Sequence, residues 1–286
     1  MGISYLQAIV TGLIQGITEL FPVSSLGHAV LVPAWIGGSW SRFTTDPNSP
    51  YLTITIALHL ASALALLLVF RNRWIDLASA GFNSLRRRPS IESTVFWRIV
   101  IATLPVATLG FIFEKSLREL FSKPFASACF LTINGGLLIV AEKRSRSSRE
   151  TESIMSENQH IAERVSIGGA IGIGFAQSFA LFAGVSRFGI SMSAGLLRGL
   201  KHSTASDFAF LLALPVILGA SIAKLPDLFL AQNSHMAGPI LAGSFVSFLA
   251  TYASITFLVR WFKTRTLYPF AMYCFAIGVI SIIRFA

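Results

Sequence analysis

Glu19, Ser25 and His28 lie close together in the stretch QGITELFPVSSLGH, residues 15–28, inside an otherwise apolar segment. An ionisable side chain at bilayer depth costs roughly 2.5–3.5 kcal/mol on insertion scales, so such residues are seldom there by accident. A carboxylate can hold a divalent cation, Mg2+ or Ca2+, or take a proton. A serine hydroxyl or an imidazole can attack an electrophile or relay a proton. Gln15 and Glu19 are four apart and share a helix face, while Ser25 and His28 are three apart just past the Pro22 break. A second polar stretch, GVSRFGIS at 184–191, supplies Ser186, Arg187 and Ser191. An arginine offers a planar, permanently charged fork that matches phosphate oxygens. Serine hydroxyls and the N–H groups of a half-helix N-terminus add donors for an anion. Glu19, Ser25, His28 and Arg187 are therefore the candidate catalytic residues, with Glu19 also the candidate metal ligand. Gln15, Ser24, Ser186, Arg187 and Ser191 are the candidate substrate contacts. Together they suit a phosphorylated substrate, and their depth suits one with a lipid tail.

The elements that must position these residues are read from hydropathy. Of the 286 residues, 53% are hydrophobic and 13% charged, with a mean hydropathy of +0.67. Soluble domains carry about 25% charged residues. Apolar segments fall near 5–37, 51–70, 96–113, 125–141, 165–200, 206–224, 239–260 and 268–286. This pattern predicts an all-α polytopic membrane protein with one integral membrane domain over 1–286. Six segments read as ordinary spans. Segment 5–37 is too long for one crossing and carries Pro22 and Pro33; segment 165–200 is broken by Gly168, Gly169, Gly172, Gly174, Gly184, Gly189 and Gly195. Irregular backbone at that depth persists only where protein or a wet cavity surrounds it, so each is expected to be a re-entrant hairpin of two half-helices.

The two broken segments also resemble each other. Gly12, Gln15, Val23, Ser24 and Gly27 recur as Gly174, Gln177, Val185, Ser186 and Gly189 at a constant offset. Each is followed by three spans, which divides the chain into two repeats, 1–141 and 142–286. Three crossings is an odd number, so the second repeat should enter the membrane inverted. The basic residues agree. The 71–98 and 142–164 links, the Arg198/Lys201 pair and Arg260, Lys263 and Arg265 fall on one side, which should be cytoplasmic; Arg42, Lys115, Arg118, Lys123 and Lys224 fall on the other. The first hairpin then opens from outside and the second from inside, and repeats of this kind place their site between the broken helices.

Net charge is +10, but the basic residues sit in short loops between spans and form no basic patch interleaved with aromatics, so nucleic acid is excluded as a partner. No Lys or Arg precedes Arg42, which argues against a signal peptide. Cys129 and Cys274 lie in apolar runs and read as small buried hydrophobes. His59, His160, His202 and His235 fall near span ends or in loops and read as structural. Asp207 reads as an acid at a helix N-terminus. The polar link 142–164 reads as a surface helix or a mobile loop. A purely structural Glu19–Arg187 ion pair is the competing explanation for those two residues, and packing the competing one for Ser24.

Gln15-Gly-Ile-Thr-Glu19 with Phe21-Pro-Val-Ser-Ser25-Leu-Gly-His28 resembles the first signature of the undecaprenyl-diphosphate phosphatase family of the bacitracin-resistance type. Gly184-Val-Ser186-Arg187-Phe-Gly-Ile-Ser191 resembles its second, and Ala205-Ser-Asp-Phe-Ala-Phe-Leu-Leu-Ala213 the segment after it. The resemblance implies hydrolysis of undecaprenyl diphosphate to the monophosphate, with a divalent cation, on the outer face of a bacterial plasma membrane. It makes a polyprenyl diphosphate lipid the substrate, with membrane lipids and a second copy of the chain as further partners. Carried over, Glu19 would bind metal or act as base, Ser25 and His28 would be nucleophile or proton relay, and Arg187, Ser186 and Ser191 would hold the diphosphate. Gln15 stands at an acidic position of the signature, and Ala183, Phe188 and Ser191 where Pro, Ser and Thr are usual. Inverted repeats around broken helices are also a transporter design, so a carrier of polyprenyl phosphate between leaflets is the alternative function. An inert scaffold leaves Glu19 and Arg187 unexplained.

Overall fold

α1 (Tyr5–Thr18) shows how this chain is built. Its buried face is small and polar (Ala8, Gly12, Gln15, Gly16), while Tyr5, Leu6, Leu13 and Ile17 are exposed. That is the reverse of a water-soluble helix and suits a lipid surround, where small residues allow close helix packing. Ser4 starts the helix with a reciprocal cap: its hydroxyl accepts from the Gln7 N–H, and the Gln7 side chain accepts from the Ser4 N–H.

The computed structural model describes residues 3–45, 51–86, 88–113, 123–146, 156–228 and 236–286, and among them every regular element is helical. After α1 come α2 (Ser25–Ile36), α3 (Gly38–Thr45), α4 (Tyr51–Ser84), α5 (Ile91–Ile112), α6 (Pro124–Arg146) and α7 (Glu157–Arg164). These are followed by α8 (Ile167–Ser178), α9 (Arg187–Leu196), α10 (His202–Leu228), α11 (Ala237–Trp261) and α12 (Tyr268–Phe285). Six of them, α4, α5, α6, α10, α11 and α12, are long and apolar enough to cross a membrane. The chain is a multi-pass, all-α membrane protein.

Both segments expected to be interrupted are interrupted. α1 gives way to α2 across 19–24, and α8 gives way to α9 across a short 3-10 turn, Phe179–Leu181, and the 182–186 stretch. Elsewhere the helices run further than hydropathy indicated. α4 continues through Ser84, where the sequence pointed to a loop from Arg71, with Phe70 (φ −100°, ψ 15°) marking a kink. The reason is that Arg73 is anchored: it donates to Asp207 at 2.7 Å, Glu157 at 3.1 Å and Asn158 at 3.1 Å, binding α4 to α10 and α7. Asp207 is thus held by an ion pair rather than by its place near a helix start. Within 142–164, α7 forms behind a Ser156–Gln159 capping box, while 147–155 lie outside the described residues, as does His235.

The helices pack in a pattern that crosses the two halves. α1 packs along α11 and α8 along α5; α4 meets α11 and α10 meets α5; α6 pairs with α12, and α4 with α10. The largest apolar core draws on both halves, from Leu20 and Leu66 to Phe188, Phe210 and Phe262. It surrounds the point where the two breaks meet.

Candidate active site

The breaks are joined through three polar side chains. Ser24 starts α2, its Oγ accepting from the Gly27 N–H (3.2 Å), and also accepts from the Gly184 N–H across the interface (3.1 Å). Ser186 starts α9 in the same way, its Oγ accepting from the Gly189 N–H (3.0 Å) and donating to the Phe21 carbonyl (3.3 Å). Asn134, on α6, spans both: its Nδ2 donates to the Pro22 carbonyl (2.9 Å), and its Oδ1 accepts from the Ser186 N–H (3.0 Å). Backbone groups freed at both interruptions, among them Pro22 O, Gly184 N and Ser186 N, are thus met by side chains, as a water-poor interior requires. Two glycines permit the approach. A Cβ on Gly27 would lie 2.9 Å from the Gly184 Cα, and Gly184 itself has φ +117° with Ser127, Leu131 and Phe130 around it.

A cavity opens beside this junction, lined by Glu19, Ser24, Ser25, Leu26, His59, Ala180, Val185 and Arg187. Glu19 is its acceptor. Its Oε2 receives Gln15 Nε2 at 2.8 Å and the Ser25 hydroxyl in a short contact, and stands 3.3 Å from His59 Nε2. Arg187 is its donor. Nε and Nη1 of its guanidinium are buried without a hydrogen-bond partner among the described residues. The competing ion-pair explanation requires those nitrogens to be spent on Glu19, and no such bridge occurs among the described residues. Buried guanidinium N–H groups without acceptors are costly unless a ligand completes them. An oxyanion with the geometry of a phosphoryl group meets that need.

The other predicted residues fall at different distances from this cavity. Gln15 supports Glu19 from behind. Ser24 lines the wall, but its hydroxyl is taken up by Gly27 and Gly184. Ser186 is engaged as a cap, and Ser191, fully buried, accepts from Gln177 Nε2 at 3.2 Å. His28 does not line the cavity. Its Nδ1 is 2.8 Å from the Ser24 carbonyl, which can only accept, so Nδ1 carries the proton; Nε2 then accepts from the Tyr273 hydroxyl at 2.7 Å. The two rings stack with centroids 5.6 Å apart. Both nitrogens of His28 are occupied. Sequence reasoning missed His59, Asn134 and Tyr273. Asn134 could have been found as a lone amide within the apolar run of α6, whereas His59 gave no signal beyond being a histidine in a span.

The profile of the family described as bacitracin resistance protein BacA matches residues 8–280. The chain belongs to this family. Among curated relatives, the undecaprenyl-diphosphatase of Mycolicibacterium paratuberculosis is 42% identical over 299 residues, covering 99% of this chain and 98% of the relative. The undecaprenyl-diphosphatase 2 of Frankia alni is 41% identical over 340 residues with the same coverage. That of Chromobacterium violaceum is 38% identical, covering 97% of this chain and 98% of the relative. The matched region spans both breaks and includes every residue that lines the cavity.

Proposed function

We infer that this chain is an undecaprenyl-diphosphatase: it hydrolyses undecaprenyl diphosphate to the monophosphate and inorganic phosphate. The observation that carries the chemistry is the Ser25 hydroxyl bonded to Glu19 across a cavity from the unpartnered donors of Arg187. In this reading Arg187 Nε and Nη1 bind oxygens of the terminal phosphoryl group. Ser25 Oγ attacks phosphorus as its proton passes to the Glu19 carboxylate, and the bridging oxygen leaves with its electron pair as undecaprenyl monophosphate. Water then cleaves the phosphoserine; Glu19 returns its proton to Ser25 Oγ, and inorganic phosphate departs. His28, tied to Tyr273, holds the first turn of α2 so that Ser25 keeps its aim.

A buried carboxylate lining the same cavity fits a hard divalent cation, and Glu19 would hold Mg2+ or Ca2+. Such an ion would neutralise part of the diphosphate charge. The exposed apolar residues around the bundle, among them Phe111, Leu241, Met272 and Ile283, suit the lipid tails of a bacterial plasma membrane and the substrate's own chain. The loop charges support an inverted arrangement of 1–141 and 142–286 with the cavity opening outward, as does the crossed pairing of α1 with α11 and α8 with α5.

Purified protein in detergent is expected to release phosphate from a C55 diphosphate and to stop on chelation. Absence of release across several divalent metals and chain lengths would remove the enzymatic reading. The same crossed pairing of repeats suits a transporter. Movement of polyprenyl phosphate across proteoliposomes without hydrolysis would favour that reading instead.

A further inference from the structure

His59 is the histidine that faces Glu19, and its environment specifies which nitrogen is available. Nδ1 lies 2.8 Å from the Thr55 carbonyl on the preceding turn of α4. A carbonyl only accepts, so Nδ1 carries a proton, and Nε2 is the nitrogen turned towards Glu19 and the cavity. At 3.3 Å from Nε2 stands Glu19 Oε2. The imidazole and the carboxylate meet on the cavity wall, an ion pair when Nε2 is protonated and two lone-pair ligands for one cation when it is not, with the fork of Arg187 on the same cavity. A histidine whose remote N–H is pinned to a backbone carbonyl while its other nitrogen faces a carboxylate is the arrangement that metal-ligating histidines adopt. Two ligands about 2.1 Å from one ion and at right angles are about 3.0 Å apart, so the observed spacing is close to that of a shared cation.

We propose that His59 Nε2 and Glu19 together form the protein's half of a divalent-cation site, the remaining positions being filled by water and diphosphate oxygens. This rests on the hydrolase reading only in taking the cavity as the place where the diphosphate binds. The donor set determines ion preference. With Gln15 bonded to Glu19 as a neutral amide, the site offers one carboxylate and one imidazole rather than a cage of carboxylates. Imidazole nitrogen favours transition metals, while Ca2+ takes oxygen. The site should therefore select Mn2+ over Ca2+, which narrows the range of ions that a carboxylate alone would accept. His28, with both nitrogens engaged, takes no part.

The test uses Mn2+ as a spin probe on the full-length protein in detergent, with methylenediphosphonate as a non-hydrolysable diphosphate. Electron spin-echo modulation of the bound Mn2+ should show a directly coordinated nitrogen. His59→Gln should remove that signal and weaken Mn2+ binding by about tenfold or more, taking the 10–100-fold cost of losing even a supporting group as the lower bound. His28→Gln should leave the signal intact. His59→Asp, which replaces nitrogen by oxygen, should restore ion binding with the preference moved towards Ca2+; this separates a ligand from a residue needed only for folding. No nitrogen signal in the wild type, its persistence in His59→Gln, or its loss in His28→Gln would each overturn the proposal. Phosphate release that continues in chelator would also overturn it while leaving the hydrolase reading standing, so the two can fail separately.

Discussion

At the first break Ser24 caps α2 through the Gly27 N–H, and at the second Ser186 caps α9 through the Gly189 N–H. The two serines hold matching places at the two breaks, and each also reaches across to the other break. The next residue along the chain is where they part. After Ser24 comes Ser25, a hydroxyl bonded to the acceptor Glu19; after Ser186 comes Arg187, a cation with two unpartnered nitrogens. The supporting glutamines differ as well, Gln15 bonding Glu19 and Gln177 bonding Ser191. One backbone device occurs at both breaks, and the residue one step beyond the cap carries opposite chemistry. A site between two such breaks has an acceptor wall and a donor wall, which is what phosphoryl transfer to a serine needs.

Predictions that challenge this division start with the acceptor wall. Glu19→Gln should reduce phosphate release by roughly 10²–10⁴-fold, the usual range for a lost general base, and weaken metal dependence with it. A variant with near-normal turnover would remove Glu19 from the chemistry. On the donor wall, Arg187→Lys keeps the charge and loses the fork. The expected cost is roughly 10²–10³-fold in kcat, with thermal unfolding of the detergent-solubilised protein close to wild type. Near-wild-type kinetics would show that Arg187 does not clamp the phosphoryl group.

The caps themselves should affect stability more than rate, and here the two breaks separate. Ser24 sits at φ 69°, the one non-glycine residue with positive φ among the described residues, whereas Ser186 sits at φ −82°. Alanine at either position should cost about 0.5–2 kcal/mol through the lost cap. At position 24 glycine should be tolerated better than alanine, because it accepts positive φ without a Cβ clash; at 186 it should bring no such relief. Melting temperatures of the four variants check this, and equal behaviour at the two sites would show that the positive φ carries no weight. The smallest effect expected is that of Tyr273→Phe, which removes one hydrogen bond to His28, about 1 kcal/mol, and so a few-fold in rate. Complete inactivation by that change would place His28 at the reaction centre after all.

How much of this was legible in the sequence depended on contrast with the surroundings. Glu19, Ser25 and Arg187 stand out because charge and hydroxyls are rare at bilayer depth, and the structure brings all three to one cavity. The breaks were legible for the same reason, through Pro22 and the glycines. His28 was harder to place. Its spacing from Ser25 suggests a shared face, but the carbonyl of Ser24, which already accepts the His28 backbone N–H, also takes Nδ1 and turns the ring towards α12. His59 gave no sign, since one histidine in a hydrophobic helix is common, and only the tertiary meeting of α4 with α1 gives it a partner. The extension of α4 past Arg71 was hidden because hydropathy registers the end of the lipid-facing stretch and not the end of the helix.

The cross-bracing of the breaks has a consequence for biosynthesis. Ser24 waits for the N–H of a residue 160 positions later in the chain. At synthesis rates of roughly 5–20 residues per second, that partner emerges about 8–32 s after Ser24 does. During that interval the first half, with α1 and α2 already made, lacks the groups that complete its interruption, and polar backbone in lipid is costly without partners. The first half is thus incomplete for an appreciable time, until the second half supplies the partners of its break. A chain stopped at residue 150 should leave a Ser25→Cys thiol, in a background lacking Cys129 and Cys274, open to labelling and the segment open to proteolysis, whereas the full chain should protect the segment. Equal protection in both would mean that the first half closes its own break and the second merely docks onto it.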